Sequence, residues 1–153
     1  MDVPAPDNPN RPVPARLNVV CLGAADVPGL RRFYEGLGWN TSSTADDFAA
    51  FPLGGAVLAL YSLAALAAEA NLPVPAQEGF RGFTCALNVE AREMVDAALE
   101  AVRAAGGRVL TEAVDRDWGG RSGYFADPEG NVWEVAYLPG SEFDERGGLI
   151  WPF

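Results

Sequence analysis

Apolar and polar positions along this chain fall into short β-like runs separated by stretches with helical periodicity. Residues 17–23 (LNVVCLG) form an apolar run, after which Leu30, Phe33, Tyr34 and Leu37 recur at helical spacing. Asp26 offers an N-cap, Pro28 suits a first turn, and Gly36 and Gly38 are stop signals, so the pattern predicts a strand and then a helix. Strands are predicted at 39–44, 47–52 and 56–61. The same order then returns: a strand at 83–89, a helix presenting Met94, Val95, Ala98, Leu99 and Val102 on one face, and strands at 108–114, 122–126 and 131–137. The last two are joined by Asp127-Pro128-Glu129-Gly130, a run with tight-turn chemistry. GAVLAL aligns over GNVWEV at an offset of 75 residues and Val19 over Thr84 at 65; the surplus fits a longer hairpin at 111–125.

The pattern is therefore α+β, with the order β-α-β-β-β written twice. It divides the chain into a Pro-rich arm at 1–15, a first module with a linker helix at 16–71, a linker at 72–81, and a second module with a C-terminal tail at 82–153. The arm has five prolines in its first 14 residues and no apolar core, so it does not read as a signal peptide. One uncharged run, 48–68, is long enough to cross a membrane. Pro52 and Gly54-Gly55 break it into a strand and a helix.

Composition removes several kinds of chemistry. The 153 residues include 21 acidic and 11 basic side chains, a net charge of −10; every basic residue is Arg, and there is no Lys or His. Nucleophile systems built on His, and metal sites ligated by His, are excluded, as are Schiff bases and a Walker A loop. The acidic balance disfavours nucleic acid or an anionic membrane as partner. Two isolated cysteines, Cys21 and Cys85, make no disulfide framework and suit a reducing, cytoplasmic setting.

LNVVCLGAADVPGLRRFYEGLGW resembles the opening strand and helix of the vicinal oxygen chelate superfamily, which includes glyoxalase I, extradiol dioxygenases and bleomycin-resistance proteins. GGRSGYFADPEGNVWEVAY resembles its closing hairpin and last strand, most specifically in D-P-x-G-N-x-W-E. The resemblance spans about residues 16–140. It implies two modules forming a curved mixed sheet around a cavity, with helices outside and frequent dimerisation. It also implies four metal-ligand positions, which fall on Val19, Ala59, Thr84 and Glu134. Only Glu134 carries a carboxylate, so the resemblance implies a scaffold without the metal and without a cofactor. The bleomycin-resistance branch, which lacks the ligands and binds a drug, is the nearer pattern.

Glu134 is accordingly the leading candidate, as an anchor for a cationic small molecule or, in an enzyme, as a general base; a structural pairing is the alternative. Arg121 is the partner to look for. Trp39, Trp118, Tyr61, Tyr124 and Phe48 are candidate aromatic walls by the resemblance, with Trp118 standing out beside two glycines in a turn. Thr84 and Asn88 share a strand face and could hydrogen-bond a ligand, and Cys21 could line the cavity. Trp133 points away from Glu134 by strand parity and is expected in the core. The tail GGLIWPF is expected to pack on the domain or across a homodimer interface. Three functions stay open: a metal-free small-molecule binder, including drug binding or resistance; a lyase- or dioxygenase-like enzyme or metal-independent isomerase; and a non-catalytic dimeric interaction protein.

Overall fold

The computed structural model describes residues 11–151 except Thr44 and Gln77. Most of the Pro-rich arm, Phe153 and the end of the predicted 39–44 strand therefore lie outside the described residues. In chain order the elements are β1 (Val19–Ala24), α1 (Val27–Gly36), β2 (Phe48–Pro52), β3 (Val57–Ser62), α2 (Leu63–Glu69), β4 (Cys85–Asn88), α3 (Glu93–Ala104), β5 (Arg108–Asp115), β6 (Arg121–Ala126), β7 (Val132–Tyr137), β8 (Glu142–Phe143) and β9 (Leu149–Ile150).

Three sheets form, in the orders β1-β3-β2, β4-β7-β6-β5 and β8-β9. The first two are mixed, and their parallel pairs share one register: Cys21 faces Ala59 as Ala86 faces Glu134. These pairs reproduce the 65- and 75-residue offsets read from the sequence, so the two halves are built alike.

They differ at one strand. The segment predicted as a strand at 39–44 has no ladder in the described residues. Thr41 Oγ1 instead donates to the Ala50 carbonyl at 2.6 Å, and Ser43 Oγ accepts from the Ala50 N–H at 3.2 Å. Hydroxyl side chains here take the bonds a strand backbone would have made, which is how Ser and Thr compete with regular structure.

The helices form for the expected reasons. Asp26 caps α1 by accepting from the Gly29 N–H at 3.0 Å, and a proline occupies its first turn. Its apolar face places Val27, Leu30, Phe33 and Tyr34 in the core. α3 buries Val95, Leu99 and Val102 and carries Glu93 and Asp96 at its N-terminal end and Arg103 in its last turn, matching the helix dipole.

Both halves share one core on the helix side of the sheets, with Tyr34 at its centre. Tyr34 stacks on Trp39 at 5.2 Å and meets Phe33, Phe51 and Trp133 at tilted or edge angles. Its hydroxyl donates to Asp127 Oδ2 at 2.6 Å and accepts from Trp133 Nε1 at 2.9 Å, so helix α1 of the first half is bonded to the turn and last strand of the second. Asp127 also accepts from the Glu129 and Asn131 N–H groups and from Asn131 Nδ2. Arg81 holds Asn131 Oδ1 and the Glu129 carbonyl, while Glu129 Oε1 accepts from the Asp26 N–H. That last bond reproduces the reciprocal half of a capping box, with the Glu supplied from the other half of the chain. The D-P-E-G-N-V-W run is thus chiefly a device that joins the halves.

Strand parity defines the opposite, open face. The core takes Leu58 and Leu60, Trp133 and Val135, and Phe125, so Ala59, Glu134 and Tyr124 project the other way. On the first sheet α2 folds over this face: Leu63 packs where a Gly23 side chain would stand. On the second sheet the face remains open. The tail forms the β8-β9 hairpin, and the 146–147 backbone lies against Gly54, so tightly that a side chain at Gly54 would overlap it. Among the described residues, no helix is long and apolar enough to cross a membrane.

Candidate functional site

The second sheet gathers the candidates. A groove of about 430 Å³ on its open face is lined by Ala86 and Asn88 of β4, Glu134 and Ala136 of β7, Leu138, Trp118, and Leu149 and Trp151 of the tail. Glu134, Asn88 and Trp118, three of the candidate residues, are thereby brought together. Among the described residues, Glu134 is the only charged side chain in the lining.

Trp118 owes its position to local backbone geometry. The hairpin between β5 and β6 closes with Gly119 N–H to Arg116 O and Arg116 N–H to Gly120 O, both 2.9 Å, and Gly119 adopts φ +89°. The six-membered ring of the indole lies against Gly120, where any side chain would collide with it and with the Tyr137 carbonyl. Arg92 pins the turn from the helix side, donating to Asp115 Oδ1 at 2.6 Å and to the Gly119 carbonyl at 3.0 Å. Half of the indole surface stays exposed, which leaves it free to cover a ligand.

Across the strands, Tyr124 of β6 pairs with Glu134 of β7. Burial first, and then the adjacent Glu134 carboxylate, push the Tyr124 phenol above its ordinary range, so at neutral pH it is a donor beside a carboxylate. Arg116 lies 5.9 Å over the Tyr124 ring and is held by Ser122, with Nε to Oγ at 2.8 Å. Tyr124, one of the candidate aromatic walls, is thus set beside Glu134, although the sequence reading did not pair the two. The Asp127–Gly130 turn pairs Ala126 with Val132, and counting back along the hairpin puts Tyr124 opposite Glu134.

A second groove, about 480 Å³, adjoins on the same face and is lined by Thr84, Tyr124, Ala126, Val132, Phe80, Arg108, Leu110 and Thr111, among others. Thr84 thus lies beside this groove and not beside Glu134's. A bulge between Val109 and Thr111 lets Leu110 and Thr111 both contribute. A third groove, about 400 Å³ and almost wholly apolar, follows the seam between the edge strands β1 and β4.

Other expected site residues lie elsewhere. Arg121 does not pair with Glu134. Parity turns it to the helix side, where it grips Asp96 with two bonds of 2.9 Å and Asp115 with one of 3.2 Å. Trp39 is a core residue stacked on Tyr34, not a cavity wall. Tyr61 and Cys21 share the open face of the first sheet, under the influence of α2. The Tyr61 hydroxyl donates to Glu69 Oε1 at 2.8 Å, and this bond foremost raises its phenol. Burial, then the charge of Glu69, pushes the Cys21 thiol up, so it is not an activated thiolate.

The metal-ligand positions implied by the fold were tested against these side chains. Val19 and Ala59 offer no donor, Thr84 offers a neutral hydroxyl, and Glu134 alone offers a carboxylate. Among the described residues, no three His, Cys, Asp or Glu side chains cluster closely enough to hold an ion. A catalytic divalent site wants about three protein ligands, so this donor set does not fit one.

Comparison with known proteins places the scaffold. Residues 16–135 match the family model described as Glyoxalase/Bleomycin resistance protein/Dioxygenase superfamily. The chain is 31% identical over 141 residues to "Putative glyoxylase CFP32" of Mycobacterium bovis, an alignment covering 88% of this chain and 51% of that protein. The chain therefore spans about half the length of the curated relatives it matches. Among solved structures, a glyoxalase-related enzyme from Fulvimarina pelagi is 31% identical with a TM-score of 0.82, covering 90% of this chain and 98% of that one. A glyoxalase/bleomycin resistance protein/dioxygenase from Nocardioides is 29% identical with a TM-score of 0.66, covering 84% and 87%.

Proposed function

The chain belongs to the Glyoxalase/Bleomycin resistance protein/Dioxygenase superfamily, and on that premise we propose that it is a small-molecule-binding protein that works without a metal, holding an organic cation against Glu134. One observation carries the reading: of the four positions where the scaffold would grip an ion, only Glu134 can, and it stands as the only charge in an apolar groove beside Trp118. A carboxylate in such a lining attracts a cation more strongly than it would in bulk water. The indole offers the cation a ring face. The groove volume falls within the range of small-ligand sites. Drug binding or resistance is the biological role this chemistry would serve, in a reducing cytoplasmic setting that suits two free thiols. A homodimer would cover Val19 and Phe48, which are exposed on the first sheet.

The test is calorimetric titration with an aryl-alkylammonium probe, compared with the uncharged alcohol of the same shape. The amine should bind and the alcohol should bind much more weakly. Equal binding of both, or of neither, ends the reading. A second reading draws on Tyr124: a carboxylate beside a protonated phenol is also an arrangement for metal-independent proton transfer. It predicts solvent deuterium exchange into a carbonyl-activated carbon of a bound substrate, abolished in Glu134→Gln.

A further inference from the structure

Besides Arg116, which Ser122 holds over the Tyr124 ring, the open face of the second sheet carries two charges of opposite sign that line grooves. Glu134 lines one groove and Arg108 the adjoining one. Neither makes an ion pair among the described residues, whereas Arg121 is fully engaged by Asp96 and Asp115. Arg108 opens β5 opposite Ala126, and Glu134 lies opposite Tyr124 two residues along the neighbouring strand pair. Two residues of strand rise and two inter-strand spacings separate their backbones by about 12 Å. The two side chains do not meet across this distance, which is comparable to the span of one rigid small molecule.

Tyr124 forms the middle of the surface between them, with Arg116 beside its ring and Thr84 and Thr111 at the margin. The phenol borders Glu134 on one side and lines the Arg108 groove with Phe80 and Leu110 on the other. In a chain with a net charge of −10, a guanidinium that lines a groove without an ion pair among the described residues is the feature that calls for an explanation. Resting on the reading of Glu134 as a cation anchor, we infer that the natural ligand is an elongated zwitterion. Its cationic end meets Glu134 under Trp118, an aromatic or apolar body crosses Tyr124, and its carboxylate or phosphate end meets Arg108. The guanidinium supplies the forked donors that such an anion takes. Separated opposite charges also fix the ligand's direction in the groove.

The probes are a biphenyl with an aminomethyl group at one end and a carboxylate at the other, its methyl ester, and the biphenyl carboxylate lacking the amine. The full-length protein is titrated calorimetrically, with thermal melting as the check on folding. The zwitterion should bind about tenfold or more tighter than the ester, as one charge-assisted contact provides. Arg108→Gln should bring the zwitterion-to-ester ratio to about one. A ratio near one in the wild type, with the ester still dependent on Glu134, overturns this inference and leaves the cation anchor standing. An ester indifferent to Glu134→Gln removes both. A stable dimer that becomes monomeric in Arg108→Gln, with no probe bound in either form, assigns the face to a second copy of the chain and overturns the inference too.

Discussion

Replacing Tyr34 by Phe removes one oxygen from the centre of the shared core. That hydroxyl is fully buried, donates to Asp127 Oδ2 at 2.6 Å and accepts from Trp133 Nε1 at 2.9 Å. Asp127 keeps three other donors, so its loss is one charge-assisted bond, worth about 1.5–3 kcal/mol. The indole N–H of Trp133 is left with no acceptor in a buried site, a further cost of about 1–3 kcal/mol. The expected destabilisation is therefore about 2.5–6 kcal/mol, a large share of the stability of a domain this size. Urea unfolding followed by tryptophan fluorescence measures it, with an unchanged dependence on denaturant if the halves still unfold together. Tyr61→Phe is the control: it removes an exposed bond to Glu69 and should leave the urea midpoint close to that of the wild type. A Tyr34→Phe effect as small as the control's would refute the claim that this hydroxyl joins the halves.

Further outcomes follow from the same contacts. Trp118→Ala should weaken binding of an aryl-alkylammonium probe by about fivefold to thirtyfold, the range of one cation–π contact, as read by titration. Gly120→Ala should displace the indole and cost about 1–3 kcal/mol, because the Tyr137 carbonyl is backbone and cannot yield; thermal melting and the Trp118 emission report it. Burial holds the Asp127 carboxyl above its unfolded range, so its contribution to stability is complete below the unfolded pKa and declines as pH rises through the folded one. Asp127→Asn should therefore cost more at pH near 3.5 than at 7 in paired urea titrations. Asp96, lowered mainly by its bonds to Arg121, acts in the opposite sense: its contribution holds above the unfolded pKa and is lost as pH falls through the folded one.

Much of the fold was legible because periodicity and caps agree locally. Asp26, Pro28 and the spacing of Leu30, Phe33 and Tyr34 specify α1 without outside help, and the Asp127–Gly130 turn fixes the register of the last hairpin. The missing strand near Thr41 was illegible because the competitor is a side chain: nothing in an alternating pattern shows that Thr41 and Ser43 will bond Ala50 themselves. The site divides similarly. Parity set Thr84 and Asn88 on one strand face and turned Trp133 away from Glu134, but it could not place Trp118, which reaches the Glu134 groove through the geometry of its turn. Arg121 was misassigned because parity turns it toward α3, where Asp96 waits on a different element. Trp39 was misplaced because its role is set by Tyr34, a contact across the core that spacing does not reveal. Arg108 carries no local signal at all; its place beside Phe80 and Tyr124 comes from sheet order and from the loop before β4.

The central claim is that Glu134 holds a cation here with no metal between them. It is tested most directly by titrating an aryl-alkylammonium probe into the wild-type protein and Glu134→Gln, each with excess chelator and each with added divalent metal. The account predicts that wild-type affinity is the same under both conditions and falls about tenfold or more in Glu134→Gln. Binding that appears only when metal is supplied, or that survives intact in Glu134→Gln, would contradict it.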